Sequence, residues 1–126
     1  MKVNKAVPVL LVDRVEPTRD FFVRAGFKVT AEVPAGNAVG FAILEKDGVE
    51  VMAQTRGNEN DSPAIQAITR ESRRAAVFVE VDDLDTVIAA LKGAKVIAER
   101  HKTFYGSEEL TYEEPGGSLV SFAKFA

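Results

Sequence analysis

AVFVEVDD, residues 76–83, echoes AVPVLLVD, residues 6–13, and the reading of this pair decides the fold. Each is an apolar run of strand length closed by aspartate, the pattern of a buried strand handing over to a helix. After the first, Phe21, Phe22 and Ala25 fall at helical spacing while Arg19, Asp20 and Arg24 are free to face water, which predicts a helix over 17–25. Gly26 stands where a glycine stop belongs. After the second, Asp82-Asp83-Leu84-Asp85 opens a helix over 86–92 with Val87, Ile88 and Leu91 on its buried face, and Gly93 ends it. Gly26-Phe27-Lys28-Val29 then matches Gly93-Ala94-Lys95-Val96, so the two stretches head two copies of one unit.

The rest of each copy reads as three strands. In the first they cover 27–33, 38–45 and 49–54, with turns at 34–37 and 46–48. In the second, a strand over 94–99, extendable to 104, precedes the hairpin GSEELTYEEPGGSLVSF, residues 106–122. Its turn is Glu114-Pro115-Gly116-Gly117, where proline presets one backbone angle and glycine accepts positive φ. Leu110 and Tyr112 precede the turn, and Leu119, Val120 and Phe122 follow it, in alternating runs. Each half is therefore βαβββ. One helix cannot cover a whole sheet face, so the halves must combine. The expected fold is α+β, with a curved, mostly antiparallel eight-stranded sheet. It forms a single domain over 1–126, of modules at about 5–54 and 75–125 joined by a polar linker over 55–74, where a short helix could open at Ser62-Pro63. A curved sheet has a concave face where a small ligand can lie.

Composition narrows the function. Of 126 residues, 46% are apolar and 28% charged, and a net charge of -3 gives no reason to expect a nucleic-acid partner. The absence of cysteine excludes disulfides, thiolate nucleophiles and thiolate-bound zinc. The opening MKVNKAVPVLLVDRVE is neither a signal peptide nor a membrane span, so the expected address is the cytoplasm, with no membrane partner.

These motifs, in this order, resemble the vicinal oxygen chelate superfamily of glyoxalases, extradiol dioxygenases and bleomycin-resistance proteins. The residues carrying the likeness are 6–13, Phe21-Phe22 and Ala25-Gly26-Phe27 in the first half. In the second they are 76–83, Tyr105-Gly106 and Glu114-Pro115-Gly116-Gly117-Ser118 on to Ser121. The resemblance implies a metal ion held by one ligand from each of four strands. At those positions stand Ala6, Ala76 and Ser121, with Met52 as the fourth and Glu50 and Gln54 on its face. Alanine offers no donor atom and serine a poor one, so no metal or other cofactor is expected. The chain is closest in type to the metal-free bleomycin-resistance proteins, which the resemblance presents as homodimers that sequester a drug between subunits. A metal-independent binding protein for a small organic ligand is the resulting expectation. The alternative is a lyase, isomerase or dioxygenase of the same superfamily using unfamiliar metal ligands such as Glu50, Gln54 and His101. A remnant serving only protein association is a third reading.

By strand alternation and family parity, Ala6, Pro8 and Leu10 share one face, Ala76, Phe78 and Glu80 another, and Leu119, Ser121 and Ala123 a third, all expected to line the cups. The expected ligand-binding set is thus Pro8, Leu10, Phe78, Glu80, Met52, Gln54, Tyr105 and Ser121, with no catalytic residue. His101, the sole histidine, is read as a surface residue, although it could serve as a base. Tyr105 falls at the cleft rim, while Tyr112 suits core packing. Glu108, Glu109, Glu113 and Glu114 could attract a cationic ligand but read as a solvated hairpin face. Arg70, Arg73 and Arg74 near Glu71 read as a surface cluster, and Phe21, Phe22, Phe27, Phe41, Phe122 and Phe125 as core.

Overall fold

The computed structural model describes residues 2, 4–55 and 75–126. The elements run β1 (Val9–Leu11), α1 (Val15–Arg24), β2 (Lys28–Ala35), β3 (Ala38–Lys46), β4 (Val49–Gln54), β5 (Ala76–Glu80), α2 (Leu84–Ala90), β6 (Lys95–Lys102), β7 (Ser107–Glu113) and β8 (Leu119–Phe125). Both halves are βαβββ, as the internal repeat requires. Beyond Thr55, the expected linker with its helix at Ser62-Pro63, and the cluster of Arg70, Glu71, Arg73 and Arg74, lie outside the described residues.

The strands form two four-stranded sheets, ordered β1-β4-β3-β2 and β5-β8-β7-β6, where a single eight-stranded sheet was expected. Each half inserts its last strand beside its first, giving one parallel pair, β1 with β4 and β5 with β8, and two antiparallel ones. Side chains join the halves instead. Helix α1 buries Val15, Thr18, Phe21 and Phe22 at helical spacing, with Glu16 in its first turn and Arg24 in its last, as the helix dipole favours. Phe21 packs edge-on against Phe22 at 5.4 Å and against Tyr112 of the second half at 6.2 Å. Tyr112 continues to Phe122 at 6.0 Å, so one aromatic chain crosses between the sheets. Buried residues of both halves make one hydrophobic cluster.

A polar joint reinforces it. Glu114, 1% exposed, takes hydrogen bonds from the Thr18 hydroxyl at 2.7 Å and from the Gly116 and Ser118 amides at 2.7 and 2.9 Å. Glu114 was expected on a solvated face; it is core, because the turn folds its carboxylate back onto its own amides and against α1. Arg24 adds a bond to the Lys92 carbonyl at 2.8 Å. Elsewhere on the seam the halves part around a cleft of about 630 Å³, lined by Phe27, Lys46, Val79, Asp82, Val87 and Phe122 among others.

The ladders also fix how the repeats correspond. Val9 lies opposite Met52 as Phe78 lies opposite Ser121. The Val12 amide bonds the Gln54 carbonyl as the Val81 amide bonds that of Ala123. Val9 therefore answers to Phe78, Leu10 to Val79 and Arg14 to Asp83, one position off the letter match. The reason lies at the helix starts: Asp83 caps α2, accepting from the Thr86 amide at 3.3 Å and its hydroxyl at 2.7 Å, while Arg14 holds the same position before α1 without a side-chain cap. Leu10 is consequently fully buried beside Ala53, on the core face and not in a cup. Pro8 precedes β1, and its carbonyl accepts from the Met52 amide at 3.0 Å.

Candidate functional site

The face of each sheet turned away from the shared core is where a ligand can be met. On the second sheet, Val77, Leu110, Tyr112, Val120 and Phe122 point inward, which turns the alternate residues outward. Cross-strand pairing sets these in rows. Phe78, Ser121, Thr111 and Ala98 form one, and Glu80, Ala123, Glu109 and His101 the next. Ala76, Phe78 and Glu80 of β5 and Leu119, Ser121 and Ala123 of β8, read from the sequence as two separate faces, lie paired on one.

Aromatic rings dominate it. Phe78 is 52% exposed and lies 6.3 Å from Phe125, which lies 6.3 Å from Tyr105. Phe104, fully exposed, stands edge-on to Tyr105 at 5.2 Å. Phe125 was expected in the core; its odd-numbered place on β8 puts it outside with Ser121 and Ala123. The same parity puts Phe41 on the outer face of the first sheet, opposite Gln54. Ser121 and Thr111 hydrogen-bond each other through their hydroxyls at 2.6 Å.

Beside the rings sits a carboxylate that sequence reasoning left on a solvated face. Glu109 is 7% exposed, whereas its neighbour Glu108 points the other way and pairs with Arg100 at 2.9 Å. The Ser107 hydroxyl donates to Glu109 Oε2 at 2.6 Å, and the Tyr105 hydroxyl donates to the same oxygen. Thr103 holds Ser107 in turn, hydroxyl to hydroxyl, at 2.7 Å. The Ser107 and Tyr105 hydroxyls hold the Glu109 carboxyl below its ordinary value, and the bond to Glu109 pushes the Tyr105 phenol up. The alternation of Ser107, Glu109 and Thr111 was the available signal; the adjacent glutamate pair obscured it.

The remaining candidates belong to the first sheet. Met52 and Gln54 lie half-buried on its outer face, opposite Val9 and Leu11, and Glu50 pairs with Lys5 at 2.6 Å. Within one chain they are on a different sheet from Phe78, Tyr105 and Ser121, and Glu50 and Gln54 are likewise on a different sheet from His101. His101 is exposed, with Nδ1 2.7 Å from the Glu99 carbonyl oxygen. The correspondence of repeats makes Met52 the counterpart of Ser121 and puts Val7, not Ala6, opposite Ala76 in the repeat. Methyl groups, a thioether and a hydroxyl engaged with Thr111 do not fit a divalent ion. Among the described residues no three histidine, aspartate or glutamate side chains gather as a metal site, and no helix is long and apolar enough to cross a membrane.

Solved structures share this architecture. TioX from Micromonospora sp. ML1 superposes with a TM-score of 0.77 at 22% identity, covering 98% of this chain and 100% of its own. A bleomycin resistance determinant encoded on the transposon Tn5 gives 0.71 at 15% identity, covering 98% of each chain. A bleomycin-binding protein complexed with bleomycin gives 0.67 at 16%, covering 98% of this chain and 100% of its own. At such identities the likeness is one of fold. A search of curated proteins returned no match. The sequence profile of the Glyoxalase/Bleomycin resistance protein/Dioxygenase superfamily matches residues 3–122, nearly the whole chain, and the chain belongs to that superfamily.

Proposed function

We propose that this chain is a metal-independent binding protein that takes up a small, drug-like or aromatic ligand in a cleft between two copies. The observation that carries this reading is the run of exposed rings, Phe78, Phe125 and Tyr105, around a face whose family ligand position holds Ser121. Rings on a rigid sheet offer stacking area at little entropic cost. The similar structures include one of a bleomycin-binding protein with bleomycin, which favours uptake over turnover.

Two copies are part of the proposal because each outer face is incomplete alone. Val9 and Val33 on one sheet, and Phe78 and Phe125 on the other, are all more than a third exposed. A partner's first sheet laid over the second sheet would cover them and bring Met52 and Gln54 to Phe78 and Ser121. The shared core supports reading the chain as a single domain, and the lack of cysteine is compatible with the proposed cytoplasmic address. The test is threefold. Sedimentation should give twice the 13.7 kDa chain mass. Thermal shift against planar aromatic compounds should raise the melting point, because a ligand of the folded state stabilises it. Elemental analysis of dialysed protein should find no stoichiometric metal; zinc, iron, manganese or nickel retained at one per chain would sink the proposal.

A further inference from the structure

Resting on that binding reading, we propose that Glu109 is the anionic half of a subsite for an organic cation: a protonated amine, amidine or guanidine carried on a flat ring. Glu109 is buried on the outer face beside Tyr105, and both hydroxyl bonds converge on Oε2. Oε1 takes no hydrogen bond among the described residues. A carboxylate held this way keeps one oxygen fixed and without a donor from those residues. Desolvated charge of that kind gains most from a counter-charge delivered by the ligand.

The surrounding charges favour the same sign of guest. Glu80 lies in the same row beyond Ala123 and has no basic partner among the described residues. Lys95 and Glu113 neutralise each other at 2.6 Å. Arg100 is spent on Asp85 and Glu108, and Lys102 lies opposite Glu108, with the other side of the sheet. Lys124 likewise lies opposite Glu108, so among the described residues His101, across the ladder from Glu109, is the basic group beside it. Negative charge beside Tyr105, Phe125 and Phe78 combines an ion pair with ring faces that attract cations. Tyr105 acts twice, as a wall and as the positioning group that fixes the carboxylate.

The experiment compares 4-phenylbenzamidine, a cation, with 4-phenylbenzamide, its neutral counterpart, by titration calorimetry at low salt. The amidine should bind at least about tenfold more tightly. Glu109→Gln should remove about that factor for the amidine and leave the amide unchanged. Tyr105→Phe keeps the ring but frees the carboxylate, and should weaken the amidine by about threefold without touching the amide. Should Glu109→Gln fail to fold, the wild-type salt dependence decides: raising salt must weaken the amidine and spare the amide. Equal binding of the two probes, or an unaffected Gln variant, overturns the subsite while the binding-protein reading stands. Failure of both probes alongside hits from the aromatic screen also overturns the subsite alone, whereas no ligand in either experiment overturns both.

Discussion

Thr18 in α1 donates a 2.7 Å hydrogen bond to Glu114 in the turn after β7, so residues 96 positions apart hold the two halves together through a buried carboxylate. Removing the donor alone should cost less than removing the acceptor. We expect Thr18→Val to destabilise by about 1–3 kcal/mol, leaving the two amide bonds in place. Glu114→Ala strands the hydroxyl and both amides, for roughly 3–5 kcal/mol. Urea unfolding of the singles and the double variant should give a coupling energy; strict additivity would show that the bond does no stabilising work.

Gly116 is required by space. A methyl group there would overlap Val12 Cγ1, Thr18 Oγ1 and Glu114 Oε1, none of which is the free end of a surface chain. Gly116→Ala should therefore cost about 1–3 kcal/mol, read from the denaturation midpoint. Gly117, whose φ is 94°, is the comparison: nothing stands near its added methyl, so its penalty is purely conformational.

The two helix starts invite opposite substitutions. Asp83→Ala deletes a working cap and should destabilise by about 0.5–2 kcal/mol. Arg14→Asp installs the missing one at extended backbone angles already suited to it, and should stabilise by about 0.5–1 kcal/mol. Thermal melts of both variants check the correspondence of Arg14 with Asp83; a loss on Arg14→Asp would contradict it.

Acid and alkali should each find the Tyr105–Glu109 pair. The folded value of Glu109 lies below its ordinary 4.5, so its contribution is complete above that pH and drains away as pH falls towards the folded value. Glu16, Asp83 and Glu108 are shifted the same way, so the melting temperature should drop below about pH 4.5, less steeply in Glu109→Gln. Tyr105, raised by its bond to Glu109, and Tyr112, raised by burial, behave oppositely: their contribution is full below 10 and lost as pH rises. Absorbance titration should show both phenols ionising late, with Glu109→Gln restoring only Tyr105 towards 10. An unchanged titration would exclude the bond.

The sequence made the duplication plain because strand, helix and glycine stop recur in the same order, and Gly26 and Gly93 both adopt positive φ. It misled where that grammar falls silent. The run Val9-Leu10-Leu11-Val12 has no alternation, so the inward place of Leu10 is set by pairing with β4 and cannot be read from letters. Aligning Asp13 with Asp83 favoured identity over the N-cap position, which Arg14 and Asp83 share although only Asp83 caps. The sharing of a face by Phe78 with Glu80, and by Ser121 with Ala123, was legible, since residues 76–80 and 119–123 each have clear parity. The burial of Glu109 and Glu114 was not, because a carboxylate is drawn inward by hydroxyls and amides that only the folded chain assembles.

The joint at Glu114 has no twin. Lys46 stands three residues past Ile43, opposite Met52, just as Glu114 stands three past Thr111, opposite Ser121. Val87 is the fourth residue of α2 as Thr18 is of α1. Lysine and valine cannot repeat the bond, and at that place the halves gape around the 630 Å³ cleft. Duplication thus supplied two equivalent places, and divergence has left a polar clasp in one and a hollow in the other.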